Sequence, residues 1–215
     1  MIKLDILALA AHPDDVELSS AGTLIKAIQQ GKKAGIVDFT RGELGTRGTP
    51  EIRMQEAQAA ATIMGLSARE NLGFRDGFFK NDEEHQLEVV KAIRKYQPEI
   101  VLANAIDDRH PDHGRASFLS KEACFLAGLA MIETVVDGVK QAPWRPKAVY
   151  HYIQSIPHTP DFIVDVSSVW ETKMNAIRAF KTQFHDPKSG ERETYISSPR
   201  FMKMVDSRGI HYGHE

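Results

Sequence analysis

Residues 4–17 read Leu4-Asp-Ile-Leu-Ala-Leu-Ala-Ala-His-Pro-Asp-Asp-Val-Glu17, an apolar run that ends at a histidine, a proline and two adjacent aspartates. The apolar part, residues 6–11, is short, as expected of a strand that is buried on both faces of a parallel sheet. Pro13 suits the first turn of a helix, where its missing N–H would have no partner anyway. The sequence therefore predicts a buried strand, a turn and a helix over residues 14–30.

The turn after this strand places His12 and Asp15 three residues apart, so that both side chains can point out from the carboxyl end of the strand. An imidazole and a carboxylate suit Zn²⁺ or another borderline divalent ion, but a catalytic site needs a third ligand. Asp14 lies beside this pair, where a carboxylate that does not bind the metal can act as a general base. The alternative is that both aspartates cap the helix and that His12 is an interior residue.

Apolar runs and helical patterns alternate along the rest of the chain, which is typical of an α/β protein. We expect one domain over residues 1–215, a Rossmann-like three-layer sandwich with a mostly parallel sheet, with ligands beyond the carboxyl ends of the strands. The loop at residues 41–48 lacks the phosphate-binding patterns GxxxxGK[ST] and GxGxxG, which argues against a nucleotide site. The further strands are predicted at residues 34–40, 71–74, 100–104, 147–153 and 162–166, and the further helices at residues 49–64, 85–96, 115–136, 168–184 and 198–206.

A second polar cluster, Asp107-Asp-Arg-His-Pro-Asp-His-Gly114, follows the strand predicted at residues 100–104. Because the carboxyl ends of parallel strands lie at one edge of the sheet, His110 or His113 can approach His12 despite the long separation in sequence. One of the two histidines would complete a metal site, and the other would be available for hydrogen bonding or proton transfer. The alternative is a solvated turn, and we favour the metal site because there are two such clusters.

The composition sets limits on partners and location. The 215 residues are 42% hydrophobic and 26% charged, enough for one substantial core, and the net charge of −2 gives no reason to expect nucleic acid or an anionic membrane as a partner. Cys124 is the single cysteine, which excludes an internal disulfide and a cysteine-based zinc site, and we expect it to be a small buried hydrophobe. No apolar segment is long enough to span a bilayer and no leader pattern is seen, so a cytoplasmic location is expected.

The two clusters together resemble the PIG-L/LmbE-like family of zinc-dependent sugar N-deacetylases. The signatures are Ala11-His-Pro-Asp-Asp15 and His110-Pro-Asp-His113, in the order and the strand-end positions of that family, and the similarity extends over nearly the whole chain. The segment Thr40-Arg-Gly-Glu-Leu-Gly-Thr-Arg-Gly-Thr-Pro-Glu-Ile-Arg53 is most similar to the branch that makes bacillithiol, a low-molecular-weight thiol of some bacteria. The resemblance implies that the substrate is N-acetylglucosaminyl malate.

The resemblance also implies a role for each cluster residue. His12, Asp15 and His113 would bind Zn²⁺, Asp14 would be the general base, and His110 would assist as an acid or as an electrostatic partner. The zinc ion would polarise the acetyl carbonyl and make hydroxide available near neutral pH, so that acetate and a free amine are released.

Substrate-binding residues are implied as well. Arg53, and in second place Arg109, are candidates for holding a hydroxyl or carboxylate of the substrate through bidentate hydrogen bonds. Some family members have a tyrosine where this chain has Asp108, so the second donor to the oxyanion must come from elsewhere, and Tyr195 is the candidate. Family members often form trimers or hexamers, which implies a homo-oligomer.

Three other functions stay open from the sequence. A deacetylase of the same family could act on chitooligosaccharides or on another N-acetylglucosamine conjugate. A metal-dependent phosphohydrolase would also use pairs of histidine and aspartate, but the repeated strands disfavour its all-helical type. A non-enzymatic, receiver-like signalling domain explains an acidic pair after the first strand but does not explain the histidines at 12, 110 and 113.

Overall fold

The computed structural model describes residues 2–187 and 189–214. From residue 6 to residue 127 each strand is followed by one or two helices, and beyond residue 127 three strands are followed by a 3-10 turn and two helices. The strands are β1 (Ile6–Ala10), β2 (Ala34–Thr40), β3 (Ala68–Phe74), β4 (Ile100–Ala103), β5 (Val135–Val136), β6 (Val139–Lys140) and β7 (Ala148–His151). The α-helices are α1 (Asp15–Ser19), α2 (Ala21–Gln29), α3 (Pro50–Met64), α4 (Glu83–Tyr96), α5 (Pro111–Ala127), α6 (Trp170–Arg178) and α7 (Pro199–Tyr212), and a 3-10 turn, Ser167–Val169, precedes α6.

The main sheet contains five strands in the order β3-β2-β1-β4-β7, and every pair of neighbours is parallel. β1 lies in the middle, with Ile6 opposite Ala34 on one side and opposite Ile100 on the other. The chain moves outward from β1 to β2 and β3, and then returns to place β4 on the opposite side of β1. The carboxyl ends of β1 and β4 therefore form a topological switch point, where ligands bind in open α/β sheets.

β1 is buried on both faces because its apolar side chains alternate between two cores. Ile6, Ala8 and Ala10 pack with side chains from α2, α3 and α6, whereas Leu7 and Leu9 pack with side chains from α4 and α5. Helices thus cover both faces of the sheet. The predicted α/β sandwich with a parallel sheet is confirmed, with three layers.

Helix α3 shows how local sequence sets the ends of an element. Thr49 is its N-cap and accepts a hydrogen bond from the backbone N–H of Ile52 at 3.3 Å, and Pro50 occupies the first turn. Gly65 ends the helix in the left-handed conformation, with φ of 74°. Both ends agree with the sequence prediction.

The helix predicted over residues 14–30 is wrong at its start and in its middle. Asp14 has a φ of 112° and so cannot belong to a right-handed helix, which begins one residue later at Asp15. Pro13 consequently lies in the turn before the helix rather than in its first turn. Ser20, with φ of −120°, then separates α1 from α2.

The helix predicted over residues 115–136 is also wrong. α5 begins earlier, at Pro111, and ends at Ala127. Beyond it, β5 and β6 form a small antiparallel hairpin around Asp137 and Gly138, whose φ angles are 50° and 75°. The side chains of Phe118 and Phe125 on α5 are 50% and 55% exposed.

Two further elements differ from the prediction near the C-terminus. Residues 162–166 were expected to form a strand, but they have no strand pairing. The helix expected over residues 168–184 is shorter at both ends, since α6 begins at Trp170 and ends at Arg178. The 3-10 turn before it has no side-chain cap. α7, in contrast, runs past the predicted end at residue 206 to Tyr212.

Two expectations from composition can be compared with the structure. Cys124 is buried, as predicted, and burial raises the pKa of its thiol to about 12. Within residues 2–187 and 189–214, the helices are all too short or too polar to cross a lipid bilayer.

Candidate metal centre

A cavity of about 560 Å³ opens at the carboxyl ends of β1 and β4. All eight residues that the sequence singled out line this cavity: His12, Asp14, Asp15, Arg53, Arg109, His110, His113 and Tyr195. The two polar clusters meet because β1 and β4 are neighbours in the sheet. The switch point, rather than sequence proximity, assembles the site.

The turn between β1 and α1 arranges the first cluster. The backbone N–H of His12 donates to Asp15 Oδ2 at 2.9 Å, and the N–H of Asp15 donates to the His12 carbonyl at 3.3 Å. The left-handed conformation of Asp14 closes this turn, and aspartate tolerates that conformation better than most residues. As a result the carboxylates of Asp14 and Asp15 are both buried at the edge of the cavity.

Three imidazoles lie close together in the cavity. The ring centroid of His12 is 4.7 Å from that of His110 and 5.6 Å from that of His113, and ligand atoms of the three residues all lie within 4.8 Å of one another. Asp15 adds a carboxylate to this group, since its Oδ1 is 3.0 Å from His113 Nε2 and its Oδ2 is 3.7 Å from His12 Nδ1. Buried nitrogen and oxygen donors of this kind fit Zn²⁺ and similar divalent ions.

A second group that could hold a metal ion contains His12, Asp76 and Asp112. His12 Nε2 is 3.0 Å from Asp76 Oδ1 and 3.5 Å from Asp112 Oδ2. Asp112 already accepts hydrogen bonds from Gly77 N at 2.8 Å and from Arg115 Nη1 at 2.5 Å. We therefore interpret Asp76 and Asp112 as hydrogen-bond acceptors that orient the His12 ring through Nε2. The other nitrogen, Nδ1, then faces Asp15.

His113 is oriented in the same way by Asp108. Nδ1 of His113 lies 2.6 Å from Asp108 Oδ2, and because an ionised carboxylate only accepts hydrogen bonds, this nitrogen must carry the proton. Nε2 then faces Asp15 with its lone pair when the ring is neutral. Asp108 is itself fixed by the backbone N–H groups of Ser155 and Ile156, at 2.7 and 2.9 Å from Oδ1.

The carboxylates raise the pKa values of two histidines. Burial disfavours the charged imidazolium, but Asp15 and Asp108 outweigh it and raise the pKa of His113 to about 9. His12 behaves alike: burial opposes its protonation, and Asp112, Asp15 and Asp76 still raise its pKa well above the ordinary value. The site thus attracts positive charge, and a divalent cation would take the place of these protons.

His110 differs from the other two histidines. Burial, together with the neighbouring His12 and His113, lowers the pKa of His110 below its ordinary value. Its Nδ1 accepts a hydrogen bond from the backbone N–H of Asp112 at 3.3 Å. His110 is therefore a neutral imidazole with its proton on Nε2, which makes it a hydrogen-bond donor.

Asp14 does not contact the histidines through its carboxylate but pairs with an arginine. Arg53 Nη2 donates to Asp14 Oδ2 at 3.0 Å and also to the side-chain carbonyl of Gln183. Burial raises the pKa of Asp14 to about 7, an effect that Arg53 partly offsets. A carboxyl group with this pKa can take up and release a proton near neutral pH, as a general base must.

Several functional contacts come from residues that the sequence analysis missed. Asn104 Nδ2 and Gln154 Nε2 donate to the two oxygens of Asp15 at 3.0 and 3.1 Å, and Asp76 holds His12. Each lies just beyond the carboxyl end of a strand, namely β4, β7 and β3. A position just beyond a strand end was the signal in the sequence that could have identified them. A single polar residue outside a motif, however, cannot be distinguished by sequence from other polar residues that follow strands.

Arg109 and Tyr195 lie against each other beside the cavity. The guanidinium carbon of Arg109 is 4.3 Å from the ring centroid of Tyr195. The hydroxyl of Tyr195 contacts Met204 Sδ at 3.6 Å rather than a histidine of the centre. In this arrangement Tyr195 is positioned as part of the cavity wall, and its hydroxyl points toward α7.

Comparison with known proteins places these features in a family. Residues 7–124 match the family model described as PIG-L, GlcNAc-PI de-N-acetylase. The diacetylchitobiose deacetylase of Thermococcus kodakarensis is 32% identical over 83% of this chain and 70% of its own length. The probable N-acetyl-alpha-D-glucosaminyl L-malate deacetylase 2 of Bacillus subtilis is 26% identical over 85% of this chain and 84% of its own length.

A solved structure supports the same fold. The conserved protein TT1542 from Thermus thermophilus superimposes with a TM-score of 0.86 and 36% identity, over 98% of this chain and 89% of that one. The matched family segment includes both polar clusters, β1 from its second residue, and the strands β2 to β4, so it contains all three histidines of the candidate centre.

Proposed function

This chain belongs to the PIG-L family of de-N-acetylases, and from that premise we propose that it is a zinc-dependent enzyme that hydrolyses the acetamido group of an N-acetylglucosamine conjugate. The observation that supports this most is the buried carboxylate of Asp14 beside His12, Asp15 and His113 at the edge of one cavity. A base next to a set of metal-binding donors is the combination that metal-assisted amide hydrolysis requires.

His12, Asp15 and His113 are the residues that would hold the zinc ion. Asp76 and Asp108 fix the two rings from behind, and Asn104 and Gln154 donate to both oxygens of Asp15. Such contacts orient metal ligands and raise affinity. When bound, zinc supplies a Lewis acid that polarises the acetyl carbonyl and lowers the pKa of water from 15.7 toward about 7.

Asp14 moves the proton. Its pKa of about 7 allows it to accept a proton from the attacking water and then to give that proton to the departing amine. The oxygen of water forms a bond to the acetyl carbon, the carbon–nitrogen bond breaks, and acetate and a free amino sugar result. The ion pair with Arg53 keeps the carboxylate in place during both steps.

His110 provides a hydrogen bond to the developing oxyanion. It is neutral, its Nδ1 is occupied by the backbone N–H of Asp112, and its Nε2 carries the proton. A neutral donor of this kind stabilises negative charge without first having to be protonated. Because the Tyr195 hydroxyl contacts Met204, we assign the second donor to His110 and keep Tyr195 as a residue of the substrate wall.

For the substrate, we propose N-acetylglucosaminyl malate, which would place the enzyme in bacillithiol biosynthesis. The segment from Thr40 to Arg53 and the relative from Bacillus subtilis support this substrate. Diacetylchitobiose is the alternative, and the relative from Thermococcus kodakarensis supports it. Arg53 and Arg109 are the arginines we propose as substrate contacts, and both line the cavity.

The test is acetate release by the zinc-loaded protein, with N-acetylglucosaminyl malate, diacetylchitobiose and N-acetylglucosamine as separate substrates. We expect hydrolysis of the malate conjugate, and a loss of about 10²–10⁴-fold in kcat for Asp14→Asn, because only the proton transfer is removed. Zinc content, measured by elemental analysis, should stay at one ion in this variant.

Asp137→Asn is the matched control for this substitution. Asp137 also has a positive φ, which asparagine tolerates, but it lies in the β5–β6 turn away from the cavity. It should leave both activity and zinc content unchanged. Absence of acetate release from all three substrates would overturn the proposed function, and activity on diacetylchitobiose alone would overturn the malate assignment.

We also propose that the chain forms a homo-oligomer, a trimer or a hexamer. Apolar side chains that are at least half exposed on and beyond α5 support this, since such surfaces commonly pack against other copies. They are Phe118, Phe125, Met131, Val135 and Val139.

A further inference from the structure

Arg208 lies on α7 at the junction of two cavities. It lines the cavity of the candidate metal centre, and it also lines a larger neighbouring cavity of about 1570 Å³. Leu18, Ser19 and Val205 likewise line both. The two cavities therefore adjoin at these residues of α1 and α7, and Arg208 is exposed to both.

The guanidinium of Arg208 is partly buried and has no anionic partner among the described residues. Burial lowers its pKa below the ordinary value, which shows that the charge is partly removed from water. Among the described residues, Asp108 is the carboxylate that favours the charge of Arg208, and both oxygens of Asp108 are already used by His113, Ser155 and Ile156. Placing an arginine in such a position costs free energy that a bound anion would offset.

The other arginines of the cavity show the contrast. Arg53 pairs with Asp14, and Arg47 pairs with Glu191 at 3.1 Å, so each has a carboxylate. Arg109 also has its described contact with the ring of Tyr195 and not with a carboxylate, but unlike Arg208 it is exposed to water. Tyr195 also lies within electrostatic range of Arg208. Two guanidinium groups that have no carboxylate partner among the described residues thus lie near the same tyrosine at the cavity wall.

We infer that Arg208, together with Arg109, binds a carboxylate or phosphate on the aglycone, so that acidic N-acetylglucosamine conjugates are the preferred substrates. This inference rests on the proposed deacetylase function and adds a specificity residue to it. Guanidinium groups bind such anions through two parallel hydrogen bonds, which fixes the orientation of the ligand as well as its charge. Among the described residues, no hydrogen bond or ion pair joins Arg208 to Asp14 or to the proposed metal ligands, so it would act on substrate binding and not on proton transfer.

Binding and turnover are measured separately, so that this inference and the proposed function can fail independently. Calorimetry with zinc-loaded Asp14→Asn protein measures affinity for N-acetylglucosaminyl malate, N-acetylglucosamine 1-phosphate and the neutral methyl N-acetylglucosaminide. Acetate release by the protein with Asp14 intact measures kcat and KM for the same three compounds. The malate and phosphate compounds distinguish a carboxylate ligand from a phosphate ligand.

We expect the acidic conjugates to bind more tightly than the methyl glycoside. Arg208→Gln should weaken binding of the preferred acidic conjugate about 10- to 100-fold, the range for a charge-assisted hydrogen bond in a partly buried site. The change should appear in KM while kcat is nearly constant, and Arg208→Lys should recover part of it. The methyl glycoside should be affected less than about threefold.

Arg200→Gln is the matched control, because Arg200 is an exposed arginine on the same helix outside both cavities. It should change nothing in either assay. Equal affinity for acidic and neutral conjugates, or equal losses for both in Arg208→Gln, would overturn the inference. Preferential binding of acidic conjugates without acetate release would retain it and reject the deacetylase function instead.

Discussion

Asp108 determines which nitrogen of His113 faces Asp15. Its carboxylate accepts the Nδ1 proton of His113 at 2.6 Å, so that Nε2 is free to bind a metal ion. This is the position at which some family members have a tyrosine. Under the proposed function, the aspartate would therefore orient the metal ligand His113, and the oxyanion would need another donor, for which we propose His110.

Asp108→Asn should lower zinc affinity about 10- to 100-fold. The asparagine oxygen can still accept from Ser155 and Ile156, but its NH₂ group then faces His113 Nδ1 and requires that nitrogen to be an acceptor. The proton moves to Nε2, where it blocks the metal. Chelator competition measures the affinity, and Asp107→Asn, at an exposed neighbour, is the control. Equal zinc affinity in the Asp108 variant and the control would contradict this role.

At the level of single residues, the sequence identified the side chains that belong to a motif. Two such motifs are present: His12 and Asp15 follow one apolar strand, and His110 and His113 follow another. In each motif the two residues are three apart, a spacing that favours a shared metal site. Asn104 and Gln154 could not be identified in the same way, because each acts through one contact that depends on neighbouring strands. Arg208 was missed because α7 was predicted to end before it.

At the level of elements, helix ends were predicted where capping residues are strong and failed where tertiary contacts decide. α3 has a threonine cap and a terminal glycine, and both ends were correct. Beyond α5, apolar spacing suggested a continued helix, although Asp137-Gly138 is a hairpin signal. The chain turns at Asp137 and Gly138. At the end of α5, Gly128 packs so close to Arg145 that a Cβ atom on residue 128 would clash with the Nε atom of Arg145.

Helix α1, which carries Asp15, is held at its C-terminal end by Lys173 of α6. Lys173 Nζ donates to the carbonyl oxygens of Leu18 and Ser19 at 3.1 and 3.4 Å. Cations stabilise the C-terminal end of a helix, but this side chain is only 6% exposed, and burial lowers its pKa to about 8. The contact therefore includes an ammonium group that is costly to keep charged.

The free energy of unfolding of the protein should rise relative to that of Lys173→Met between about pH 8 and 10.5. In this interval the unfolded chain keeps the lysine proton and the folded chain has lost it, so increasing pH favours the folded state. The pKa difference limits the relative gain to about 3 kcal/mol. Urea unfolding at several pH values measures it, with Lys203→Met, at an exposed position on α7, as control. A pH-independent difference would show that Lys173 is not desolvated as described.

For the molecule as a whole, the alternation of strands and helices predicted the parallel sheet, and the sheet predicted that the two clusters meet. The strand order could not be derived, because each buried strand is similarly apolar and nothing local states which neighbour it pairs with. Long-range polar contacts that link several elements could also not be predicted from the sequence. One such set of contacts is centred on Arg69, on β3.

Arg69 connects two strands and two helices. It donates to both oxygens of Asp38 on β2 at 2.8 and 3.0 Å, to Glu17 Oε1 on α1 at 2.5 Å and to the Ala57 carbonyl on α3 at 3.1 Å. Glu17 is 0% and Asp38 is 2% exposed, and burial raises the pKa of both, an effect that Arg69 opposes. One guanidinium thus compensates two buried carboxylates, one of them on α1, the helix that carries Asp15.

Arg69→Met should lower the free energy of unfolding by about 3–5 kcal/mol near neutral pH, because two buried carboxylates lose their cation. The deficit should shrink as pH falls, since protonation of Glu17 and Asp38 removes the unpaired charge and their raised pKa values bring that change into the mildly acidic range. Arg178→Met is the control, because Arg178 pairs with Glu171 at 2.7 Å on the surface, where an ion pair contributes at most about 1 kcal/mol. Urea unfolding at neutral and mildly acidic pH compares the variants, and equal deficits for both substitutions at neutral pH would mean that the buried pairs contribute no more than an exposed one.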